Sequence, residues 1–232
     1  ALDGCTPDEM LPFYGDLAAI GTIADIMLLE GENRRIVKAG LALLQQTERP
    51  GIAALIEACG LGGKELTAEK VSFGLAPRLN AAGRMDSAAA ALELLLCEDP
   101  EEAEAIVAGL EAQNAARQKA EQDILQGVLD SVAADETYGA DRILVVWGRG
   151  YHQGVIGIVA SRVVERFGKP AIIVSVDENG EGKGSGRSIA GVSLYNAIAA
   201  CGDLLIRFGG HALAAGLSVR EENLPAFRTA VN

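Results

Sequence analysis

Two glycine-bearing runs, GGHALAAGLSV at 209–219 and KGSGRSI at 183–189, hold the side chains best suited to chemistry in this sequence. Glycine lets backbone N–H groups approach an anion, and Ser185, Arg187, Ser188 and His211 add side-chain donors beside Gly209 and Gly210. Together they outline a phosphate site, in a segment that reads as too small and apolar for a surface loop. The stretch APRLNAAGRMD at 76–86 sets Arg78, Asn80 and Arg84 among Ala and Gly. Guanidinium forks match phosphate oxygens in pairs, although a helix ending at Gly83 with two surface arginines fits equally well. His152 sits between an expected strand and an expected helix whose N-terminus would face any bound anion, so it can donate to phosphate or cap the turn. Both histidines of the chain fall beside glycines at strand ends, which favours a functional reading. Asp25 interrupts the apolar run AIGTIADIMLL, where a carboxylate must be paired, bind a cation or face solvent at a helix end.

Other chemistries are excluded. The stretch DENGEGKGSGRS at 177–188 imitates a calcium loop, but Ser188 stands where a bidentate Glu is needed and Lys183 occupies the seventh place, so a hairpin suffices. It is not a P-loop, because Lys183 precedes the glycines instead of closing the loop before a helix. No Ser-His-Asp or Cys-His arrangement has a usable order. Cys5, Cys59, Cys97 and Cys201 are too scattered for a disulfide framework or a zinc site and suit a reducing, intracellular compartment.

The elements that must position these residues change character along the chain. Residues 11–98 carry helical spacing in short segments, with Pro50 and Gly60 as start and stop signals. From 100 to about 135 an Ala-, Glu-, Gln- and Leu-rich stretch opens with Pro and acids, as a helix should, and predicts one long helix anchored at both ends with an exposed polar middle. Beyond 139, β-branched runs at 142–147 and 170–176 flank a helix ending at Gly168. A turn at Asn179-Gly180, a helix over 192–205 and a closing strand over 211–219 follow. The net charge of −12 is uneven: residues 1–139 carry 24 acids and 10 bases, residues 140–220 six acids and nine bases. A polyanion partner is therefore compatible with the second half, by weak and salt-sensitive binding. An aromatic content of 4% gives base stacking little support. The longest apolar stretch is broken by Asp25, which argues against a membrane span.

The stretches GTIADIMLLEGENR, APRLNAAGRMDSAAAALELLL, YHQGVIGIVASRVVERFGKPAIIVSVDE, GKGSGRSI and FGGHALAAGLSV, in this order, resemble the DHH phosphoesterases. Within that family they resemble the single-strand-specific 5′→3′ DNA exonucleases of bacteria, over about residues 16–220. The resemblance implies an α/β chain in three parts: the helical remainder of a DHH metal-binding domain (1–98), a long connector helix (99–136) and a small substrate-binding α/β domain with a mixed sheet (137–232). It implies that Asp25 is a metal ligand and catalytic, helping to hold two Mn2+ or Mg2+ ions that activate water. Arg78, Asn80 and Arg84 would then contact substrate phosphate. Ser185, Arg187, Gly209, Gly210 and His211 would grip phosphate in the small domain, with His152 in its other signature stretch. The family's Asp-x-Asp and Asp-His-His motifs are not in this sequence, and Leu28 stands where the family has proline. An opening without Met fits a piece of a longer protein. The expectation is a cytoplasmic, membrane-free part of a recombination and repair exonuclease that binds single-stranded DNA yet neither holds its ions nor turns over alone. Rival expectations are a phosphodiesterase for short oligonucleotides or cyclic dinucleotides, and a non-catalytic nucleic-acid-binding module.

Overall fold

The computed structural model describes Gly4 and residues 6–232, and the chain divides into two compact units, Ala1–Ala116 and Arg117–Asn232. The first unit is helical. Helix α1 (Pro7–Ala24) starts in a capping box, with Thr6 accepting from the Glu9 amide while the Glu9 carboxylate takes the Thr6 N–H at 2.8 Å. It packs closely on α2 (Gly31–Gln45), where a Cβ at Gly40 would strike the Gly15 carbonyl, so the crossing depends on glycine there. Helix α3 (Pro50–Ala58) lies against α6 (Ala89–Leu96). Between them the short α4 (Ala68–Lys70) runs through a π-turn at Val71–Leu75 into α5 (Ala76–Met85). Leu44, Ile52, Leu55, Leu75, Leu94 and Leu110 form the buried centre. Asp16, buried in α1, is held by Arg49, whose Nε donates at 2.8 Å and whose Nη2 donates to the Phe13 carbonyl.

Helix α7 (Pro100–Ala134) spans 35 residues and contributes to both units. Ala103, Val107 and Leu110 are buried in the first, Ile124 and Val128 in the second. The polar middle is not bare, against expectation: Asn114 is buried, and Arg117 Nη1 donates to Glu121 at 2.7 Å with both side chains mostly covered.

The second unit carries the expected mixed sheet: β1 (Leu144–Arg149), β2 (Ala171–Val176), β3 (Glu181–Arg187), β4 (Leu205–Gly210) and β5 (Ala214–Arg220), in the order β1-β2-β3-β5-β4. Strands β1 and β2 are parallel and joined by α8 (Ile156–Phe167), which ends on Gly168 in the left-handed region; the other pairs are antiparallel. Asp177 Oδ1 accepts from the Asn179 and Glu181 amides and closes the β2–β3 hairpin, the role that rejecting a calcium loop leaves for it. Two elements differ from the sequence reading. The helix over 192–205 is only α9 (Leu194–Ala199), followed by a 3-10 turn and by β4, and a closing α10 (Leu224–Val231) packs Phe227 into the core. Cys59, Cys97 and Cys201 are free thiols; Cys5 lies outside the described residues.

Arg228 of α10 fastens the unit's first segment. Its Nε donates to Asp141 at 2.7 Å, Nη1 to Asp135 at 2.9 Å and Nη2 to the Thr137 hydroxyl at 2.8 Å, over the face of the Tyr138 ring. Hydrogen bonds from Thr137 and then Arg228 hold the Asp135 carboxyl down to about 2. A carboxylate depressed in the folded state adds stability above its ordinary pKa and loses it as pH falls through the folded value. Arg228→Ala is therefore expected to lower Tm by about 5 °C at neutral pH. Thermal scans should show that gap narrowing between about pH 5 and pH 2; a constant gap would remove Asp135 from the clamp.

Candidate functional site

Strand alternation decides what the run at 181–187 presents. Gly182, Gly184 and Gly186 point to the face covered by α9 and α10, where a Cβ would press on Val174, Leu217 and Leu194 at 2.8, 2.9 and 2.6 Å. The absent side chains of those glycines make room for core side chains, and of the three Gly184 also lines the hollow described below. Lys183, Ser185 and Arg187 share the opposite face. Register sets Ser185 beside Gly216 and Lys183 beside Ser218 on β5, and then Arg207 beside Ser218 and Gly209 beside Gly216 on β4.

Helix α8 covers the β2 and β3 side of this second face, and the rest is an open hollow of about 510 Å3. Its floor is the Gly209–Gly216 backbone, around which stand Lys183, Ser185, Arg207 and Ser218, with Gln153 and Ile156 at the start of α8. Arg207 Nε donates to Ser218 Oγ at 3.2 Å. Among the described residues no carboxylate lines the hollow, so two cationic side chains, two hydroxyls and a helix N-terminus favour an anion there. Arg187 lies at the margin: its Nη1 donates to Ser185 Oγ at 3.2 Å and to the Gly186 carbonyl at 2.9 Å, and its Nη2 lies over Gly157, where a Cβ would come within 3.1 Å.

His211 sits on the exposed turn between β4 and β5, not in a sealed loop, because β4 is an edge strand with most of its residues open to solvent. Its amide donates to the Ala214 carbonyl at 2.8 Å, and Ala214 is the register partner of Arg187, so both residues border one end of the hollow's strands. His211 Nδ1 accepts from the Leu213 amide, and His152 Nδ1 accepts from the Gly154 amide in the same way. With Nδ1 of each ring accepting a backbone N–H, Nε2 is the ring nitrogen left to donate. His152 lines a separate hollow of about 740 Å3 with Tyr151, Ser175 and Asp177, and Gln153 borders both. Ser188 is spent locally, donating from Oγ to the Val192 carbonyl. Gly210, with φ of 141°, serves the tight hairpin, where a Cβ would meet the Ala214 carbonyl.

In the first unit a hollow of about 430 Å3 brings together Gly21, Ala24, Asp25, Asn80 and Arg84. Asn80 and Arg84 are four apart on α5 and share one side of it. Asp25 caps the C-terminus of α1, its amide bonded to the Gly21 carbonyl, where the helix dipole disfavours a carboxylate and a nearby cation offsets it. Arg78 is not in this group; it is engaged by Glu111 and by the Gly74 carbonyl. Among the described residues no three His, Cys, Asp or Glu side chains gather as a metal site.

Lys183, Arg207, Gln153 and Ser218 were not singled out from the sequence. Alternation in 183–187 would have found Lys183; Arg207 and Ser218 needed the β4–β5 pairing, and Gln153 the start of α8.

The DHHA1 domain family matches residues 140–232. Over its whole length the chain is 44% identical to the single-stranded-DNA-specific exonuclease RecJ of Bacillus subtilis, of which it covers 29%. The crystal structure of RecJ from Thermus thermophilus in complex with Mg2+ superposes with a TM-score of 0.84 at 42% identity, covering 95% of this chain and 34% of that one. A structure of exonuclease RecJ bound to manganese gives 0.82 at 41% identity, covering 98% and 55%. The chain thus spans about a third of the length of the curated relatives it matches.

The two kinds of glycine are separable by substitution. Gly184→Val, aimed into Leu217, is expected to destabilise the chain by about 1–3 kcal/mol through overpacking. Gly209→Ala, with open space at its Cβ, is expected to leave Tm unchanged and weaken anion binding. Urea denaturation of both variants checks this, and equal losses would undo the assignment of faces.

Proposed function

We infer that this chain, RecJ-like along its whole length and a DHHA1 domain over residues 140–232, is the strand-holding part of a metal-dependent exonuclease that hydrolyses phosphodiesters from the 5′ end of single-stranded DNA. The observation that carries this reading is the hollow of the second unit, lined by no described carboxylate, in which Lys183, Arg207 and Ser185 converge on bare backbone, with Arg187 and His211 at its margin. Such a site suits the backbone of a polyanion: Lys183 and Arg207 neutralise phosphate oxygens, Ser185 and the Nε2–H of His211 donate to them, and Gly209 and Gly216 leave space for a close approach. Arg187, steadied by Ser185, supplies the planar fork that orients a phosphate.

In the first unit we assign Asn80 and Arg84 to a second phosphate contact and Asp25 to metal chemistry. The solved RecJ structures are complexes with Mg2+ or manganese, hard cations that take oxygen ligands, and a metal pair supplies an activated water when bound. A single carboxylate beside a guanidinium does not by itself fit a site for two ions, so Asn80 and Arg84 hold and orient the strand, and Asp25 would be one metal ligand among others that the described residues do not supply. Among the described residues no helix is long and apolar enough to cross a membrane. We place the activity in the cytoplasm, in recombination and repair.

Fluorescence anisotropy of this chain with single-stranded oligonucleotides over a KCl series tests the grip. Affinity should fall steeply with salt, and Lys183→Ala and Arg207→Ala should each weaken binding about 3–10-fold and lower the salt slope by about one. Affinity indifferent to salt would defeat the reading. In the full-length parent, Asp25→Asn should abolish hydrolysis with strand binding retained; normal turnover would remove Asp25 from the catalytic set.

A further inference from the structure

Among the described residues, the large apolar side chains that the second unit leaves exposed lie within residues 192–213. They are Val192, Tyr195, Ile206, Phe208 and Leu213, with relative exposures of 37%, 39%, 50%, 37% and 51%. Several contacts tie these segments together. The rings of Tyr195 and Phe208 lie 5.9 Å apart at 52°, Ser188 bonds to both the Val192 and Leu213 carbonyls, and the Leu194 amide bonds to the Ala212 carbonyl. A concentrated apolar patch on an otherwise polar surface marks something that docks there.

The identity of the occupant follows from what adjoins the patch. Strand β4 alternates: Arg207 and Gly209 face the hollow, whereas Phe208 pairs in register with Leu217 on the other face and still borders the hollow. Arg207 of the hollow and Phe208 of the aromatic pair are thus successive residues of one edge strand, and Tyr195 meets Phe208 from α9. Across 188–214 the sequence has a single acid, Asp203, while Arg207 and His211 provide positive charge or donors. A ligand matching both sides is a polyanion with flat apolar appendages.

We propose that Tyr195 and Phe208 form a base-stacking platform for the strand whose phosphates occupy the Lys183–Arg207 hollow. The proposal rests on the grip inferred above and adds a contact to bases that phosphate chemistry does not supply. It also reverses the expectation drawn from the low aromatic content, because two rings in one exposed corner suffice for stacking.

The test compares oligothymidylate with an abasic strand of the same length, about twelve nucleotides, so that charge is equal and only the bases differ. The unmodified chain should bind oligothymidylate about tenfold more tightly. Tyr195→Ala and Phe208→Ala should each remove most of that preference while leaving abasic binding within about twofold, and Tyr195→Phe should keep it. A strand carrying 5-iodouracil should crosslink under ultraviolet light to residues 192–213 in the unsubstituted chain, an outcome that needs no variant to fold. Equal affinity for the two strands with steep salt dependence would leave the grip standing and sink the platform. So would a parallel loss of both affinities in the alanine variants, or crosslinks elsewhere. Binding of neither strand would overturn grip and platform together. A change of oligomeric state in Tyr195→Ala with base preference intact would give the patch to a second copy of the chain.

Discussion

The alternation of side chains along β3 is the constraint on which the second unit depends. A strand has two faces, and this one gives three glycines to the core and Lys183, Ser185 and Arg187 to the outside. The core face needs the glycines because Val174, Leu194 and Leu217 already fill the space their side chains would take. A shift of register by one residue would bury two cations and a hydroxyl and expose the glycines, so the hydrophobic core fixes the polar face without touching it. Neighbouring strands then extend that face by pairing alone, from Ser185 through Gly216 to Gly209 and from Lys183 through Ser218 to Arg207.

Local charge outweighs total charge here. The chain as a whole is strongly acidic, yet the hollow of the second unit is lined by Lys183 and Arg207 with no described carboxylate beside them. With a screening length of about 8–10 Å in physiological salt, the charges within the hollow would dominate what an anion placed there experiences. Both histidines reach comparable states by the same device: a glycine-rich turn takes up Nδ1 and leaves Nε2 as a donor.

Much of this was legible in the sequence, and the rest has identifiable physical reasons for being hidden. Strands β1 and β2, the Asn179-Gly180 turn and the long α7 announce themselves through β-branched runs, turn chemistry and an uninterrupted helix-forming composition. Strand β4 does not: LIRFGG lacks a regular polar–apolar pattern, contains a bulge between Leu205 and Arg207, and exists because β5 pairs with it. With β4 unseen, Arg207 had no place in the site and Phe208 no neighbour across from it. Small size at 182, 184 and 186 is evident in the sequence, but sequence alone does not say which face a Gly-x-Gly-x strand turns inward, and here the core uses the space. Arg78 was grouped with Asn80 and Arg84 by proximity in the chain, but a spacing of two or six along α5 aims it elsewhere, into Glu111.

The two candidate sites differ in how their residues are held. In the second unit every described residue with positive φ is a glycine, so its geometry is reached without strain. In the first, Ile26 follows Asp25 with φ of 54°, a region a β-branched side chain enters only at a cost of about 1–3 kcal/mol. The turn persists because its amides are committed, Ile26 to the Ile23 carbonyl and Met27 to Thr22, while Asn33 Nδ2 secures the Leu28 carbonyl. The strain ends α1 abruptly at Asp25 and fixes the direction in which the chain departs, which places the carboxylate in the hollow with Asn80 and Arg84 instead of another helical turn. A glycine at 26 would relieve the strain and also release that direction.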